Sequence, residues 1–320
     1  MFAVYAAEPN PESPLDSLRV GERPDPEVPD GWVTVDVRAG SLNMHDLWTL
    51  RGVGIKPDQF PMILGCDGAG VLEDGTEVVI HSVIGDTSFG DETFDPKRSL
   101  LTERYQGTFA DKVVVPARNV LPKPASLSFG EAACMGTAWL TAYRMLFTRS
   151  GIRPGQTMLV QGASGGVSTA LVTLGKAAGM RVWVTGRTEE KRALAMSLGA
   201  DAAFETGARL PERVDAVFET VGKATWAHTM KSVKPGGAVV VSGSTSGPDP
   251  SADLQRLFFM QIRVVGSTMG NKEELADLLA FCDLKGLRPA IGAELPMTEA
   301  KDGFEQMLAG ETAGKIVFTR

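Results

Sequence analysis

The sequence predicts an α/β protein: a doubly wound parallel sheet with helices on both faces, inserted in a β-rich domain. Three observations carry this expectation. Residues 1–122 read as short strands separated by Pro, Gly and acidic turns. From about Pro124, strand and helix patterns alternate, the signature of a parallel sheet with crossover helices. Within that second stretch, Gly162-Ala163-Ser164-Gly165-Gly166-Val167-Ser168 separates the apolar run Thr157-Met158-Leu159-Val160 from a segment with Ala170, Leu171, Leu174 and Ala177 on one face. That is strand, glycine turn, helix.

Taken in order, Met1–Tyr5 is a short strand. Val33, Val35 and Val37 alternate with Thr34, Asp36 and Arg38, the pattern of a half-buried strand. Ser41 to Trp48 leaves that strand and enters a short helix. Residues 60–71 are Gly-rich and tight, 77–81 return to strand, and 82–106 form a long polar stretch expected as a surface excursion or lid. Phe129–Phe147 reads as one long helix. Strands at 157–161, 181–185, 201–204, 214–218, 238–242 and 262–266 then alternate with helices at 166–178, 189–198, 223–232 and 253–260. A helix over 271–285, another near 299–309 and a strand at Lys315–Phe318 close the chain. The tail is expected to return to the first domain. The boundaries are therefore 1–122 with 267–320 for one domain and 123–266 for the other.

Composition narrows the function classes. The chain has 320 residues, enough for two domains with substantial cores. Its formal net charge is -7 and its sequence pI about 5.2, which argues against nucleic acid or an anionic membrane as the main partner. Cys66, Cys134 and Cys282 are far apart with no CxxC pair, which fits a reducing compartment. No basic-then-apolar leader opens the chain and no apolar run is long enough to span a bilayer, so the cytoplasm is the expected location.

The glycine turn implies a dinucleotide. Glycines let backbone approach a pyrophosphate, and the helix N-terminus offers unpaired N–H groups and a partial positive charge. Gly162, Ala163, Ser164, Gly165, Gly166 and Val167 are the expected contacts. The next strand ends in Gly186-Arg187, with Lys191 one turn into the following helix, where an NAD-selective site usually has an acid. Arg pairs with a 2′-phosphate, so NADP(H) is the expected cofactor. The competing reading has Arg187 solvated and Glu189 or Glu190 on the ribose. Loops at the carboxyl ends of later strands supply further expected contacts: Thr220 and Val221; Gly243, Ser244 and Thr245; Ser267, Thr268 and Met269.

The chain resembles the medium-chain dehydrogenase/reductase superfamily over essentially its full length. The resemblance rests on Leu42-Asn43 with Asp46, Gly65-Cys66-Asp67-Gly68-Ala69-Gly70, Gly107-Thr108-Phe109-Ala110, Gly136-Thr137-Ala138 with Thr141-Ala142-Tyr143, Gly162–Ser168 and Gly314-Lys315-Ile316-Val317. It implies a Rossmann doubly wound parallel sheet inserted in a β-rich GroES-like domain, hydride transfer with a nicotinamide cofactor, and a homodimer or homotetramer. In the zinc branch of that family a Cys, a His beside an acid, and a second Cys or acid hold a catalytic metal. The positions that match are Asn43, the Cys66-Asp67 pair and Thr137. Asn and Thr are poor zinc ligands, and 82–105, where a structural-zinc lobe would fall, has no cysteine. The resemblance therefore points to the zinc-free, quinone-oxidoreductase-like branch, with no metal. A site built from His45, Cys66 and Asp67 is the metal-binding alternative.

Without a Lewis acid, direct alcohol oxidation is hard, whereas hydride delivery to a quinone or an α,β-unsaturated carbonyl spreads charge onto a distant oxygen. That reaction is the expected one. The candidate catalytic residues are Asn43, as a donor to the substrate carbonyl or a turn residue bonding its own backbone; His45, as a proton donor or a satisfied histidine; and Thr137. Trp48, with Asn43, is expected at the substrate, or else in the core. Thr141 is expected beside the nicotinamide, and Lys315 at the cofactor or on the surface. A zinc-type alcohol dehydrogenase with atypical ligands and a catalytically inactive NADPH-binding sensor or scaffold are the competing functions.

Overall fold

A computed structural model describes residues 1–320. Six strands form one parallel sheet, in the spatial order Ala202–Glu205, Arg181–Gly186, Thr157–Gln161, Val214–Glu219, Val233–Val241, Arg263–Gly266. The order grows one way from Thr157–Gln161 for three strands and then returns to grow the other way. The reversal between Thr157–Gln161 and Val214–Glu219 leaves a crevice at their carboxyl ends, where this topology binds ligands. The core of this unit gathers Leu159, Trp183, Val217, Val239 and Met230, and Trp183 meets Phe204 edge-on at 5.4 Å. Strands buried on both faces need such near-continuous apolar runs.

The β-rich unit is built around the long strand Trp32–Ser41. It pairs antiparallel with Lys112–Pro116 at its start and with Asp67–Val71 and Lys315–Thr319 towards its end. Phe109, Phe304 and Phe318 fill the core beside it, with Phe109 edge-on to Phe318 at 5.0 Å. The register sets Ser41 opposite both Asp67 and Val317. This pairing brings three remote segments to one place.

Contacts divide the chain into Met1–Leu140 with Gly270–Arg320, and Thr141–Met269. The first unit runs on to Leu140, beyond the 122/123 boundary read from sequence, because helix Phe129–Ala133 packs on strands Trp32–Ser41 and Asp67–Val71. The helix expected as one piece over 129–147 is helical from Phe129 to Arg149 but widens into π-type turns at Met135–Trp139 and Arg144–Arg149. Such turns insert a residue and re-aim side chains, a feature that periodicity does not report.

The polar stretch after Ser82 is a surface excursion only in part: residues 86–90 and 96–98 are exposed, whereas several of its acids turn inward. Two short strands, Val83–Ile84 and Ser99–Leu100, pair within it, and Asp91, Glu92, Thr93 and Asp95 are buried. Glu92 accepts from the backbone N–H of Lys272 at 2.8 Å, and Asp95 accepts from those of Asp86 and Lys97. Acids that accept backbone hydrogen bonds fold inward without loss, so polarity alone misreads the segment. No helix is long and apolar enough to cross a membrane.

Candidate active site

The glycine turn stands where the topology asks for it. Strand Thr157–Gln161 leads into Gly162, whose φ of +90° is accessible to glycine at little cost. Gly165 caps helix Gly166–Ala177, and the first-turn N–H groups of that helix point back at the turn. Gly186 ends the next strand so close to the turn that an added Cβ would lie 2.9 Å from that of Ala163. Ala163 and Ser164 are buried, while Gly165 is exposed and Gly166 and Val167 are half-buried.

Beyond Gly186, Arg187 is exposed and makes no hydrogen bond or ion pair. Arg192 is committed: it donates to the Gly186 carbonyl at 2.9 Å and to Glu189 at 2.7 Å. Glu189 therefore already has a partner, and both Glu189 and Glu190 sit in the first turn of the helix. Lys191 is half-buried beside them.

The loops at the later strand ends are tied to one another. Glu219, fully buried, accepts from Val221 N at 2.8 Å, Gly222 N at 3.0 Å, Thr225 Oγ1 at 2.9 Å and Thr229 Oγ1 at 2.7 Å. The Val221 N–H is thus spent inside the fold. Thr220 O accepts from Thr245 N, and Val221 O accepts from Ser246 N. Gly243 packs against the Thr220 backbone, and Ser244 and Thr245 are exposed. Glu219 shapes this edge and was missed from sequence; an acid at a strand end followed by Thr-Val-Gly was its only signal. Ser267 is half-buried with an unpartnered hydroxyl, Thr268 is exposed, and Met269 is buried at φ +47°. Thr141 is buried at the start of this unit.

A second constellation lies in the β-rich unit. Asn43 precedes helix Met44–Leu50, and Asp46 at the third position accepts from Asn43 N at 2.9 Å and from Gly65 N at 2.8 Å. Burial lifts the Asp46 carboxyl to about 7, against the pull of those two hydrogen bonds. Asn43 Nδ2 donates to Ser41 O at 3.0 Å and to Asp67 Oδ2 at 2.8 Å, and lies 3.6 Å from Cys66 Sγ. Cys66 Sγ is 3.4 Å from Thr137 Oγ1, and burial pushes its thiol well up. The residues matched to the zinc-branch positions are therefore together.

Lys315 completes that constellation. It is buried, and its ammonium donates to Leu42 O at 2.7 Å and to Asn43 Oδ1 at 2.6 Å, with Asp67 Oδ2 at 3.7 Å. Of the two expected places, the cofactor or the surface, burial removes the surface: its ammonium bonds within the β-rich unit. Asn43 changes with it. Both Nδ2 hydrogens and the Oδ1 are taken, so the amide has no donor left for a substrate carbonyl. Thr137 is half-buried, and its hydroxyl has only the sulfur as a neighbour within reach.

His45 stands apart from this cluster. Its Nε2 is 4.0 Å from Glu103 and has no hydrogen-bond partner; burial holds its pKa below the usual range despite Glu103. Trp48 is half-buried, with the Arg51 guanidinium 5.2 Å from its ring centre. Tyr105 packs on Trp32, with ring centres 5.1 Å apart. No group of three or more His, Cys, Asp or Glu is arranged to hold a metal ion.

Comparison with known proteins agrees with this layout. Residues 29–125 match the family model "Alcohol dehydrogenase GroES-like domain", and residues 166–283 match "Zinc-binding dehydrogenase". A crotonyl-CoA carboxylase/reductase of Cereibacter sphaeroides is 28% identical, over 89% of this chain and 79% of its own length. The quinone oxidoreductase of Homo sapiens is 26% identical, over 92% of each. A crystal structure described as an NAD-dependent alcohol dehydrogenase superposes with a TM-score of 0.92 at 31% identity, over 100% of both chains.

Proposed function

The chain belongs to the medium-chain dehydrogenase/reductase superfamily, and from that premise we propose an NADPH-dependent reductase of quinones or α,β-unsaturated carbonyls that works without a metal. The observation that carries the reading is the free guanidinium of Arg187 at the end of the strand after the glycine turn, the place where a ribose 2′-phosphate needs a cation. Relatives that reduce crotonyl-CoA or quinones support the substrate class.

A zinc ion does not fit the residues present. Two of the four matched positions are Asn43 and Thr137, which are neutral, and Asn43 has spent its polar atoms within the cluster. The Lys315 ammonium already stands beside Asp67. This chemistry supports the metal-free reading over a zinc-type alcohol dehydrogenase.

When bound, the nicotinamide supplies hydride to the electron-poor carbon of the acceptor. The chain's part is to hold the cofactor phosphates on the Gly162–Gly166 turn and the 2′-phosphate on Arg187. The Thr137 hydroxyl donates to the oxygen that gains charge. His45, with its pKa lowered by burial and Glu103 4.0 Å from its Nε2, is the proposed carrier of a proton from solvent.

Rates of NADPH and NADH oxidation with a quinone and enone panel test the proposal. NADPH is expected to be preferred, and a chelator is expected to leave the rate unchanged; equal rates with both cofactors would sink the NADP reading. In Arg187→Ala, the NADPH KM is expected to rise about 10-fold or more, the worth of a charge-assisted hydrogen bond, while NADH is unaffected.

We infer that the chain self-associates, as the expected homodimer or homotetramer, through an open sheet edge. Strand Arg263–Gly266 is an unpaired sheet edge. Leu254, Phe258, Phe259 and Val264 beside it are 67%, 66%, 78% and 43% exposed. A large apolar patch at an open edge needs a partner, and a second copy placed edge to edge covers both. Phe258→Asp with Val264→Lys is expected to give monomers by light scattering.

A further inference from the structure

The metal-free reading leaves open what supplies positive charge in the β-rich constellation. We propose that Lys315 is a positioning residue whose ammonium is the built-in cation of this site, holding Asn43 and Asp67 as a metal ion would. The proposal rests on the metal-free reading above and deepens it.

The geometry makes the case. Asp67 is fully buried; its Oδ2 accepts from Ser41 Oγ at 2.7 Å and Asn43 Nδ2 at 2.8 Å, while Oδ1 has no hydrogen-bond partner. A buried carboxylate so placed requires a compensating charge. The one cation there is Lys315, 3.7 Å away. Its two hydrogen bonds, to Leu42 O and Asn43 Oδ1, orient the amide. That amide in turn bonds Asp67 and lies against the Cys66 sulfur that faces Thr137. Lys315 therefore reaches the Thr137 hydroxyl through two fixed neighbours and touches no reacting atom itself. Without it, a carboxylate would stand uncompensated beside the group that must stabilise developing negative charge, and transition-state stabilisation would fall.

Four variants separate this role from cofactor binding and from packing: Lys315→Met, Lys315→Arg, Asp67→Asn and Lys315→Met/Asp67→Asn. Thermal midpoint, NADPH affinity by fluorescence, and kcat are measured on each. Lys315→Met is expected to lower kcat about 30-fold and the midpoint by roughly 10 °C, with NADPH affinity within about threefold of wild type. Lys315→Arg is expected to recover part of kcat. The double variant is expected to regain most of the midpoint, since no buried charge remains, yet to stay about tenfold slow. A folded Lys315→Met enzyme at full kcat would overturn the proposal. So would a loss of NADPH affinity in step with kcat, or a double variant restored to wild-type rate. Additive midpoint shifts would also overturn it, because the pair would not be coupled. Absence of NADPH turnover with every acceptor would instead defeat the functional reading, leaving the midpoint cycle to judge the ion pair.

Discussion

Gly107→Ala is expected to destabilise the protein by about 4 kcal/mol or more, a fall of roughly 10 °C or more in thermal midpoint. A Cβ at Gly107 would sit 2.2 Å from Leu64 O, 2.5 Å from Leu64 C and 2.6 Å from Gly65 O. All three are backbone atoms, so no side chain can turn aside. The close approach exists because Gly107–Phe109 bonds tightly to Ile63–Gly65: Gly107 N donates to Ile63 O at 2.9 Å, Thr108 N to Gly65 O and Phe109 N to Leu64 O, both at 2.8 Å. Thr108 Oγ1 also donates to Asp67 O. Forcing the two segments apart moves Cys66 and Asp67, so whatever folded enzyme remains should be slow. Gly21→Ala is the control, since nothing lies within 4 Å of its added methyl; it is expected to change stability by less than about 0.5 kcal/mol. Circular-dichroism melting of both variants checks the pair.

Asp46 should impose a pH dependence of the opposite sign to that of a salt-bridged acid. Its carboxyl is raised from 3.8 to about 7, chiefly by burial, with Asp67 adding to the rise and the Asn43 and Gly65 N–H groups and Lys315 opposing it. Below about pH 4 the group is protonated in both folded and unfolded chains. Between about 4 and 7 the unfolded chain releases its proton and the folded chain keeps it, so folding stability falls as pH rises. About three units correspond to a loss of roughly 4 kcal/mol across the window, with no further change above it. Denaturant titrations at several pH values, wild type against Asp46→Asn, isolate the contribution. The stability advantage of wild type is expected to be greatest near pH 4 and to shrink by about 4 kcal/mol towards pH 8. A constant difference would show that the Asp46 pKa does not change on folding.

Much of the fold was legible because its signals are local. Alternating strand and helix periods mark the parallel sheet, and Gly162 to Gly166 mark the turn with the strand and helix on either side. Asp46 as the partner of Asn43 is a contact three residues apart. The site was less legible. Asn43 was expected as a possible donor to substrate, and its amide proves to be fully engaged by four groups from three segments. The acids of 82–106 read as solvated because their hydrogen-bond donors are backbone N–H groups, which no side-chain pattern announces.

Period and turn chemistry act within a few residues, so the chain's order alone determined the α/β class, the dinucleotide turn and the basic residue after the second strand. Lys315 and Asn43 are 272 positions apart. Only the pairing of Lys315–Thr319 with Trp32–Ser41 sets them side by side, and a buried charge takes its meaning from whatever the fold places around it.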